Sequence, residues 1–396
     1  MGKNKKLLRF KDYGLYIFSL CFLFLLVGCK QEAASQAVTV PVAKPSYEKR
    51  LADYVDKLPL EEKVGQMMFV GIPGTEYDAT AKKLVEECHA GGVIHFDRNL
   101  SEGAQVQALN SALQAGAKST GAKIPLFISV DQEGGQVARM RDTLLVAPSA
   151  ASLGAQGQPA VVREWAVKTA QNLKSYGFNT NFAPVADLGL TAQRSYGNTP
   201  AEVIPMVEAA MDGYRAERLM CSIKHFPGIG KMQVDPHYDT SAINVDKAEL
   251  ESNDMLPFLT MVNKKIPASY MIMVSHPVYP AFDQEPASVS KVLLTDVLRT
   301  EWQYNGIIIT DDMAMGGLTS VYSQKEMGVK AVAAGEDMLL SCSSDPTMSY
   351  TIYNSVLEAV RQGKLSEAKI NASVVRILAA KEAIGIWHLD TDSGIK

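Results

Sequence analysis

The sequence predicts an α/β protein with the architecture of a (β/α)8 TIM-type barrel in a single domain. Eight short apolar runs rich in Val, Ile and Phe alternate with longer amphipathic stretches, which is typical of a parallel sheet connected by helices. Eight such units within 396 residues favour a closed barrel over an open, doubly wound sheet. No glycine-rich fingerprint follows the first predicted strand, which argues against a dinucleotide-binding domain.

The predicted strands and helices follow one another regularly along the chain. The strands cover residues 64–72, 91–98, 125–132, 178–188, 220–226, 269–277, 305–312 and 336–342. Between them, apolar residues recur three and four positions apart, which predicts helices with one buried face. Three of these faces are marked by Val106, Leu109 and Leu113; by Val162, Trp165, Ala166, Ala170 and Leu173; and by Val203, Met206, Val207, Ala210 and Met211. A last helix at 370–386 closes the pattern, and we expect no second domain after it.

The N-terminus has the pattern of a targeting segment. Several basic residues precede an apolar run at 15–27 that is too short for an ordinary membrane span. The run ends in "LLVGC", which resembles a bacterial lipobox. This predicts a signal peptide at 1–28, lipidation of Cys29, and an extracytoplasmic protein anchored by lipid to a bacterial membrane. An uncleaved signal anchor is the alternative.

The remaining chain divides into three predicted parts. Residues 29–50 are small, polar and proline-containing, which indicates a tether. Residues 51–388 form the predicted barrel, and 389–396 form a short tail.

Composition narrows the classes of function. The net charge of −4 shows no excess of basic residues, so we expect no nucleic-acid partner.

Apart from Cys29, the predicted mature chain contains Cys88, Cys221 and Cys342, an odd number that does not suggest a disulfide framework. We predict that these thiols are buried. The spacing of Cys88 and the nearby histidines matches no common zinc pattern, and we expect neither a metal nor a cofactor.

Charged residues collect where the predicted strands end. In chain order these residues are Asp131, Asp187, Lys224, His225, His276, Asp311 and Asp312. In barrels, the carboxyl ends of all strands meet at one face, where catalytic residues gather. Charged groups are expensive to bury unless they are paired or used. The sequence therefore predicts an enzyme pocket for a polar, hydroxyl-rich substrate at this face.

Four segments of the chain carry a more specific signal. They are "DQEGGQVARM" (131–140), "NFAPVADL" (181–188) with "RSYG" (194–197), "KHFPGIG" (224–230) followed by "DPH" (235–237), and "IITDDMAM" (308–315). Together they resemble the β-N-acetylhexosaminidase branch of glycoside hydrolase family 3. Their order and spacing agree with the family over roughly residues 50–386, so the combined signal is specific.

The resemblance implies a retaining, two-step glycosidase that acts on a carbohydrate substrate such as an N-acetylglucosamine-containing glycan or muropeptide. Asp311 matches the nucleophile, His237 the general acid/base and Asp235 the residue that orients His237. The positions that match sugar-binding residues are Asp131, Arg139, Arg194, Lys224 and His225. We expect the protein to act as a monomer.

Elementary chemistry agrees with these roles. A leaving glycosidic oxygen needs a proton, and the same group must later activate water, which suits a histidine that titrates near neutrality. Asp235 precedes His237 by two residues and could fix its tautomer. Asp311 is favoured over Asp312 as the nucleophile on motif alignment. Because adjacent strand residues point to opposite faces, only one of the two is expected to reach the pocket. Asp187 is expected to brace loops, and His95 and His276 to be structural.

Two positions depart from the family pattern. Ile229 stands where the related enzymes usually have histidine, and Gln136 where they often have arginine. The leading hypothesis is an exo-β-N-acetylglucosaminidase that acts on peptidoglycan fragments or related glycans. A β-glucosidase or β-xylosidase of the same fold, a phosphorylase, and a non-catalytic sugar-binding lipoprotein are the alternatives.

Overall fold

The chain forms a ring of short strands surrounded by helices. The structure is a computed structural model that describes residues 46–232, 242–266 and 268–392. The strands are β1 (Met68–Gly71), β2 (Gly92–His95), β3 (Phe127–Val130), β4 (Thr180–Asn181), β5 (Met220–Phe226), β6 (Tyr270–Val274), β7 (Ile307–Thr310) and β8 (Leu339–Ser341).

Helices precede, connect and follow these strands. The α-helices are α1 (Tyr47–Lys57), α2 (Leu60–Gln66), α3 (Ala79–Lys82), α4 (Gly103–Ser119), α5 (Ala150–Ala155), α6 (Pro159–Ser175), α7 (Pro200–Ala216), α8 (Lys247–Ser252), α9 (Leu256–Asn263), α10 (Gly316–Thr319), α11 (Gln324–Ala334), α12 (Thr347–Arg361), α13 (Glu367–Ala383) and α14 (Leu389–Asp392). Two segments are π-helical, Lys83–Glu87 and Val292–Glu301, and two are short 3-10 turns, Asp97–Asn99 and Ala287–Val289, within the residues described.

The strands form one parallel sheet that closes on itself. Its order is β7-β6-β5-β4-β3-β2-β1-β8, and every pair of neighbours in this order is parallel. The two end strands meet through backbone hydrogen bonds. Thr310 N–H donates to the Met338 carbonyl at 3.1 Å, and Met338 N–H donates to the Ile308 carbonyl at 3.1 Å. The predicted (β/α)8 barrel is therefore confirmed.

Aromatic side chains fill the inside of this sheet. The rings of Phe69 and Phe127 stack with centroids 6.5 Å apart, and the Phe182 ring packs against Phe69 at 5.1 Å. None of the three is exposed to solvent. A barrel closed by packed side chains leaves its strand ends as the place for chemistry.

The observed strands lie within the predicted ones, but two predictions were too long. Residues 64–66 belong to helix α2, so the first strand begins only at Met68. The prediction for 178–188 yields a strand of two residues, Thr180–Asn181. Pro184 has no N–H to donate to a neighbouring strand, so regular pairing stops before it. Pairing resumes only as an isolated bridge between Val185 and Lys224.

The three predicted helical faces are confirmed. Their residues lie on α4, α6 and α7, and all are buried except Trp165, which is partly exposed. Helices α6 and α7 approach so closely that a Cβ added at Gly213 would lie 2.6 Å from the Ala166 Cβ. Glycine is therefore the residue that this helix contact permits.

The ends of the described chain add detail to the predicted boundaries. Helix α1 begins at Tyr47, inside the segment predicted as a tether, and its Tyr54 ring lies 5.5 Å from Trp387. Cys29 lies outside the described residues. The cysteines at 88, 221 and 342 are free and buried, as predicted. None of the helices in the described part of the chain combines the length and the apolar character of a membrane span.

Candidate active site

The carboxyl ends of the strands surround a cavity of about 300 Å³. Of the predicted site residues, those that line it are Asp131, Arg139, Arg194, Lys224, His225 and Asp311. These residues come from the segments after β3, β4 and β7 and from β5 itself, so the barrel brings together side chains that are up to 180 positions apart in sequence. Asp235 and His237 lie outside the described residues.

Four of the lining residues form a network of ion pairs. Lys224 Nζ lies 2.7 Å from Asp131 Oδ1 and 2.8 Å from Glu133 Oε1. Arg194 donates from Nε to Glu133 Oε2 and from Nη2 to Glu133 Oε1, both at 2.8 Å. Such two-pronged contacts between guanidinium and carboxylate are among the strongest hydrogen bonds in proteins. The network therefore holds both cations in fixed positions at the cavity wall.

The charges of this network keep one another ionised. Burial opposes ionisation of Glu133, but Lys224 and Arg194 lower its pKa to about 2. Burial likewise opposes protonation of Lys224, yet the charges of Asp131 and Glu133 raise its pKa on balance. The pKa of Arg194 is also raised, against burial, by its contact with Glu133. All three groups are charged at neutral pH.

The sequence analysis did not select Glu133 as a site residue. It lies two positions after Asp131 in the segment that resembles the family, which is a signal that could have pointed to it. Its importance depends on contacts with Arg194 and Lys224, which follow β4 and belong to β5. Sequence alone does not reveal such a pairing.

Arg139 is held more loosely than the other cations. Its guanidinium nitrogens lie 3.6 Å from Asp97 Oδ2 and 3.9 Å from Asp131 Oδ2, beyond hydrogen-bond distance. Its Nε is buried without a hydrogen-bond partner among the described residues. The guanidinium also lies 5.3 Å from the centre of the Phe96 ring. Arg139 therefore has donors left for a bound molecule.

Asp187 braces the end of β5, as the sequence predicts. Its fully buried carboxylate accepts hydrogen bonds from His225 Nδ1 at 2.7 Å and from the His225 and Ile229 backbone N–H groups at 3.2 and 2.8 Å. Asp187 does not line the cavity. It fixes the imidazole of His225, which does, and it ties down the start of the loop that leads toward residue 233.

Asp311 follows the last residue of β7 and is partly exposed through the cavity. Burial opposes its ionisation, but its pKa is lowered on balance. The imidazoles of His225 and His276 contribute to this lowering, as do the N–H of Asp312 and the charge of Lys224. The Asp312 N–H donates to Asp311 Oδ1 at 2.7 Å. The cavity thus contains an ionised carboxylate that is largely withdrawn from water.

Asp312 also lines the cavity, so the prediction that only one of the two aspartates reaches it was wrong. The alternation of side chains applies within a strand, and β7 ends at Thr310, before both residues. Their surroundings nevertheless differ. Asp312 Oδ1 accepts hydrogen bonds from the backbone N–H groups of Cys342 at 2.9 Å and Ala314 at 3.0 Å. Burial raises the pKa of Asp312, whereas the pKa of Asp311 is lowered, so Asp312 is the less readily ionised of the two.

The two histidines predicted to be structural are both buried and hydrogen-bonded. His276 contacts Ser288 Oγ through Nδ1 at 2.7 Å and the Asp312 carbonyl through Nε2 at 2.9 Å. His95 Nε2 lies 2.7 Å from Asn110 Oδ1, and burial lowers the pKa of His95 to about 4. His95 is therefore neutral at physiological pH and does not line the cavity.

Apolar groups complete the cavity wall. They come from Ile94, Phe96, Val137, Ile229, Met273, Met315 and Leu340. Ile229 and Gln136, the two positions that depart from the family pattern, both face the cavity. Among the described residues, no group of three or more His, Cys, Asp or Glu side chains is arranged to hold a metal ion. The wall thus combines fixed charges with apolar surface, as sites for small polar ligands do.

The chain belongs to glycoside hydrolase family 3. Residues 59–380 match the model of the glycosyl hydrolase family 3 N terminal domain. The resemblance stated from the motifs is thereby confirmed at the level of the family, and so is the prediction that the protein is a glycoside hydrolase.

Individual relatives agree with this assignment. A curated beta-hexosaminidase from Idiomarina loihiensis is 32% identical over 330 residues, which span 81% of this chain and 95% of that protein. A family 3 beta-N-acetylglucosaminidase from Paenibacillus superposes with a TM-score of 0.79 at 34% identity. The match covers 83% of this chain and 63% of that one, so this chain spans less than two thirds of the Paenibacillus protein. A beta-N-acetylhexosaminidase from Beutenbergia cavernae matches with a TM-score of 0.75 at 26% identity, over 82% of this chain and 99% of its own.

Proposed function

We propose that the protein is a retaining exo-β-N-acetylglucosaminidase that removes terminal β-linked N-acetylglucosamine from peptidoglycan fragments or related glycans. The observation that carries the proposal is Asp311, an ionised carboxylate in a cavity whose wall also presents Lys224, Arg194 and Arg139 as hydrogen-bond donors. The names of the Idiomarina and Paenibacillus relatives support the choice of sugar.

The reaction would take place in two displacements. In the first, Asp311 bonds to the anomeric carbon while the glycosidic oxygen leaves with a proton from His237. In the second, a water molecule gives a proton to His237 and attacks the same carbon, which releases the sugar and restores the Asp311 carboxylate. Asp235 would hold the imidazole in the tautomer that both steps need. The roles of His237 and Asp235 rest on the family motif and on this chemistry.

The remaining cavity residues would bind the sugar hydroxyls. Lys224 and Arg194 already donate to carboxylates, and each has N–H groups left over. Asp131 and His225 add an acceptor and an imidazole nitrogen at the same wall. Arg139, with its unpartnered Nε, would supply further donors.

A chromogenic assay on two sugars tests the proposal. We expect the purified protein to release nitrophenol from nitrophenyl β-N-acetylglucosaminide faster than from nitrophenyl β-glucoside. The Asp311→Ala variant is the control. Faster turnover of the glucoside would identify the protein as a β-glucosidase of the same fold. Sugar 1-phosphate formed in phosphate buffer would reveal a phosphorylase. Saturable sugar binding without any turnover above the Asp311→Ala control would identify a non-catalytic binding lipoprotein.

We further propose that the enzyme is extracytoplasmic, monomeric and anchored through lipid on Cys29. The support is the basic and apolar pattern of residues 1–28 and the small residue before the cysteine. Metabolic labelling with a fatty-acid analogue should mark the wild-type protein, and Cys29→Ser should abolish the label and release the protein from membranes. Label retained in Cys29→Ser would refute the anchor.

A further inference from the structure

Glu133 is the hub of the charged network beside the proposed nucleophile. Its side chain is only 6% exposed, and its two oxygens receive three hydrogen bonds, two from Arg194 and one from Lys224. No other carboxylate among the described residues contacts both of these cations. The direction in which the two cations point is therefore set by Glu133.

The donors that Glu133 leaves free are those that the cavity can use. The ammonium of Lys224 has three N–H groups, and Asp131 and Glu133 occupy two of them. The guanidinium of Arg194 has five, and Glu133 occupies two on one edge. Since both side chains line the cavity, their remaining donors are available to hydroxyl groups there.

The same residue balances the charge of the wall. Asp131 and Glu133 carry two negative charges, and Lys224 and Arg194 carry two positive ones, so the network is neutral as a whole. Without Glu133, two cations would face one carboxylate, and the wall would carry a net positive charge beside Asp311. Arg139, a third cation of the wall, already offers an anion its unpartnered Nε, and the loss of Glu133 would add an unmatched positive charge beside it, so the attraction for anions should rise.

We propose that Glu133 is a positioning and specificity-determining residue. Through three charge-assisted hydrogen bonds it aims the free donors of Lys224 and Arg194 at the sugar, and its charge makes the cavity select neutral over anionic sugars. This inference rests on the proposed function, because the sugar is taken to occupy the cavity that contains Asp311.

The test compares N-acetylglucosamine with N-acetylglucosaminuronate, which differs only by a carboxylate at C6. Inhibition constants for both sugars are measured against the chromogenic substrate. Glu133→Gln keeps the length of the side chain and one acceptor oxygen but removes the charge. Glu133→Asp keeps the charge but withdraws it by one methylene. Asp337→Asn is the matched control, since Asp337 is a buried carboxylate that pairs with Arg299 and Arg376 and does not line the cavity.

In the wild type we expect the neutral sugar to bind more tightly than the uronate. Glu133→Gln should reduce this preference roughly tenfold, the order expected for one unit charge across a cavity of this size. Glu133→Asp should weaken the binding of both sugars by about tenfold, because a charge-assisted hydrogen bond is lost. The ratio of the two inhibition constants should stay unchanged. Asp337→Asn should alter neither constant, although it lowers the melting temperature.

An unchanged ratio in Glu133→Gln, or an equal change of ratio in Asp337→Asn, would overturn the inference. A ratio is insensitive to the fraction of protein that is folded, so partial unfolding of a variant does not mimic the expected result. If the wild type hydrolyses no chromogenic glycoside, the proposed function fails. The same two sugars then test Glu133 by calorimetric titration, with the same expected ratios.

Discussion

The two adjacent aspartates after β7 offer the sharpest test of the proposed chemistry. We predict that Asp311→Asn abolishes turnover while Asp312→Asn retains most of it. Both aspartates line the cavity, and asparagine is nearly isosteric with aspartate. A difference in turnover between the two variants therefore reports the chemical role of each carboxylate rather than its location. Removing a covalent nucleophile costs on the order of 10⁴-fold or more in kcat.

The expected stabilities follow from the hydrogen bonds. In Asp312→Asn the amide oxygen can still accept from the N–H groups of Cys342 and Ala314, so the free energy of unfolding should change by less than about 1 kcal/mol. Asp312→Ala leaves both N–H groups without their acceptor. Only the Cys342 N–H is shielded from water, since Ala314 is exposed, so that variant should lose about 1–3 kcal/mol, the cost of one unsatisfied buried group.

The assay is steady-state release of nitrophenol from the β-N-acetylglucosaminide, combined with urea unfolding of each variant. Intact mass spectrometry excludes preparations in which asparagine has reverted to aspartate. A loss of turnover in Asp312→Asn as large as that in Asp311→Asn, at unchanged stability, would refute the assignment of Asp311 as the nucleophile.

Three further predictions concern residues around this centre. Asp187→Ala leaves N–H groups of His225 and Ile229 without their buried acceptor, so urea unfolding should show a loss of about 1–3 kcal/mol for each such group and the assay a raised KM. The pKa of Glu133 is lowered to about 2, so its ionisation contributes about 3 kcal/mol to the free energy of unfolding. This contribution is complete above pH 4.5 and is lost as the pH falls toward 2. In Glu133→Gln the free energy of unfolding should lack this dependence on pH. His237→Ala should lower kcat on the order of 10²–10⁴-fold with a poor leaving group and far less with an activated phenol, and equal losses would contradict the acid role.

Much of the site was predictable because a barrel converts sequence order into spatial convergence. Asp131, Lys224 and Asp311 each stand where an apolar run ends, and parallel strands place such ends at one face. The family motifs then distinguished these residues from other polar positions. The fold was predictable for the same reason, since alternation of strands and helices through eight units permits few other arrangements.

The features that were missed depend on local backbone geometry or on pairs of side chains. The prediction for Asp312 failed because the alternation of side chains was extended two residues beyond the end of β7. The fourth strand was overextended because its apolar residues continue past Pro184, where strand pairing is interrupted. Glu133 was missed because one of its partners follows β4 and the other belongs to β5, and only the closed sheet brings them together.

The balanced network at the cavity wall has a consequence for how substrate arrives. Charges that cancel within a few ångströms produce almost no field beyond the mouth of a cavity, so neither attraction nor repulsion steers a neutral glycan toward it. Dissolved salt then has almost no long-range electrostatic interaction to screen. The second-order rate constant kcat/KM for a neutral substrate should therefore stay nearly constant from dilute buffer to molar salt, and capture should depend on diffusion and shape alone.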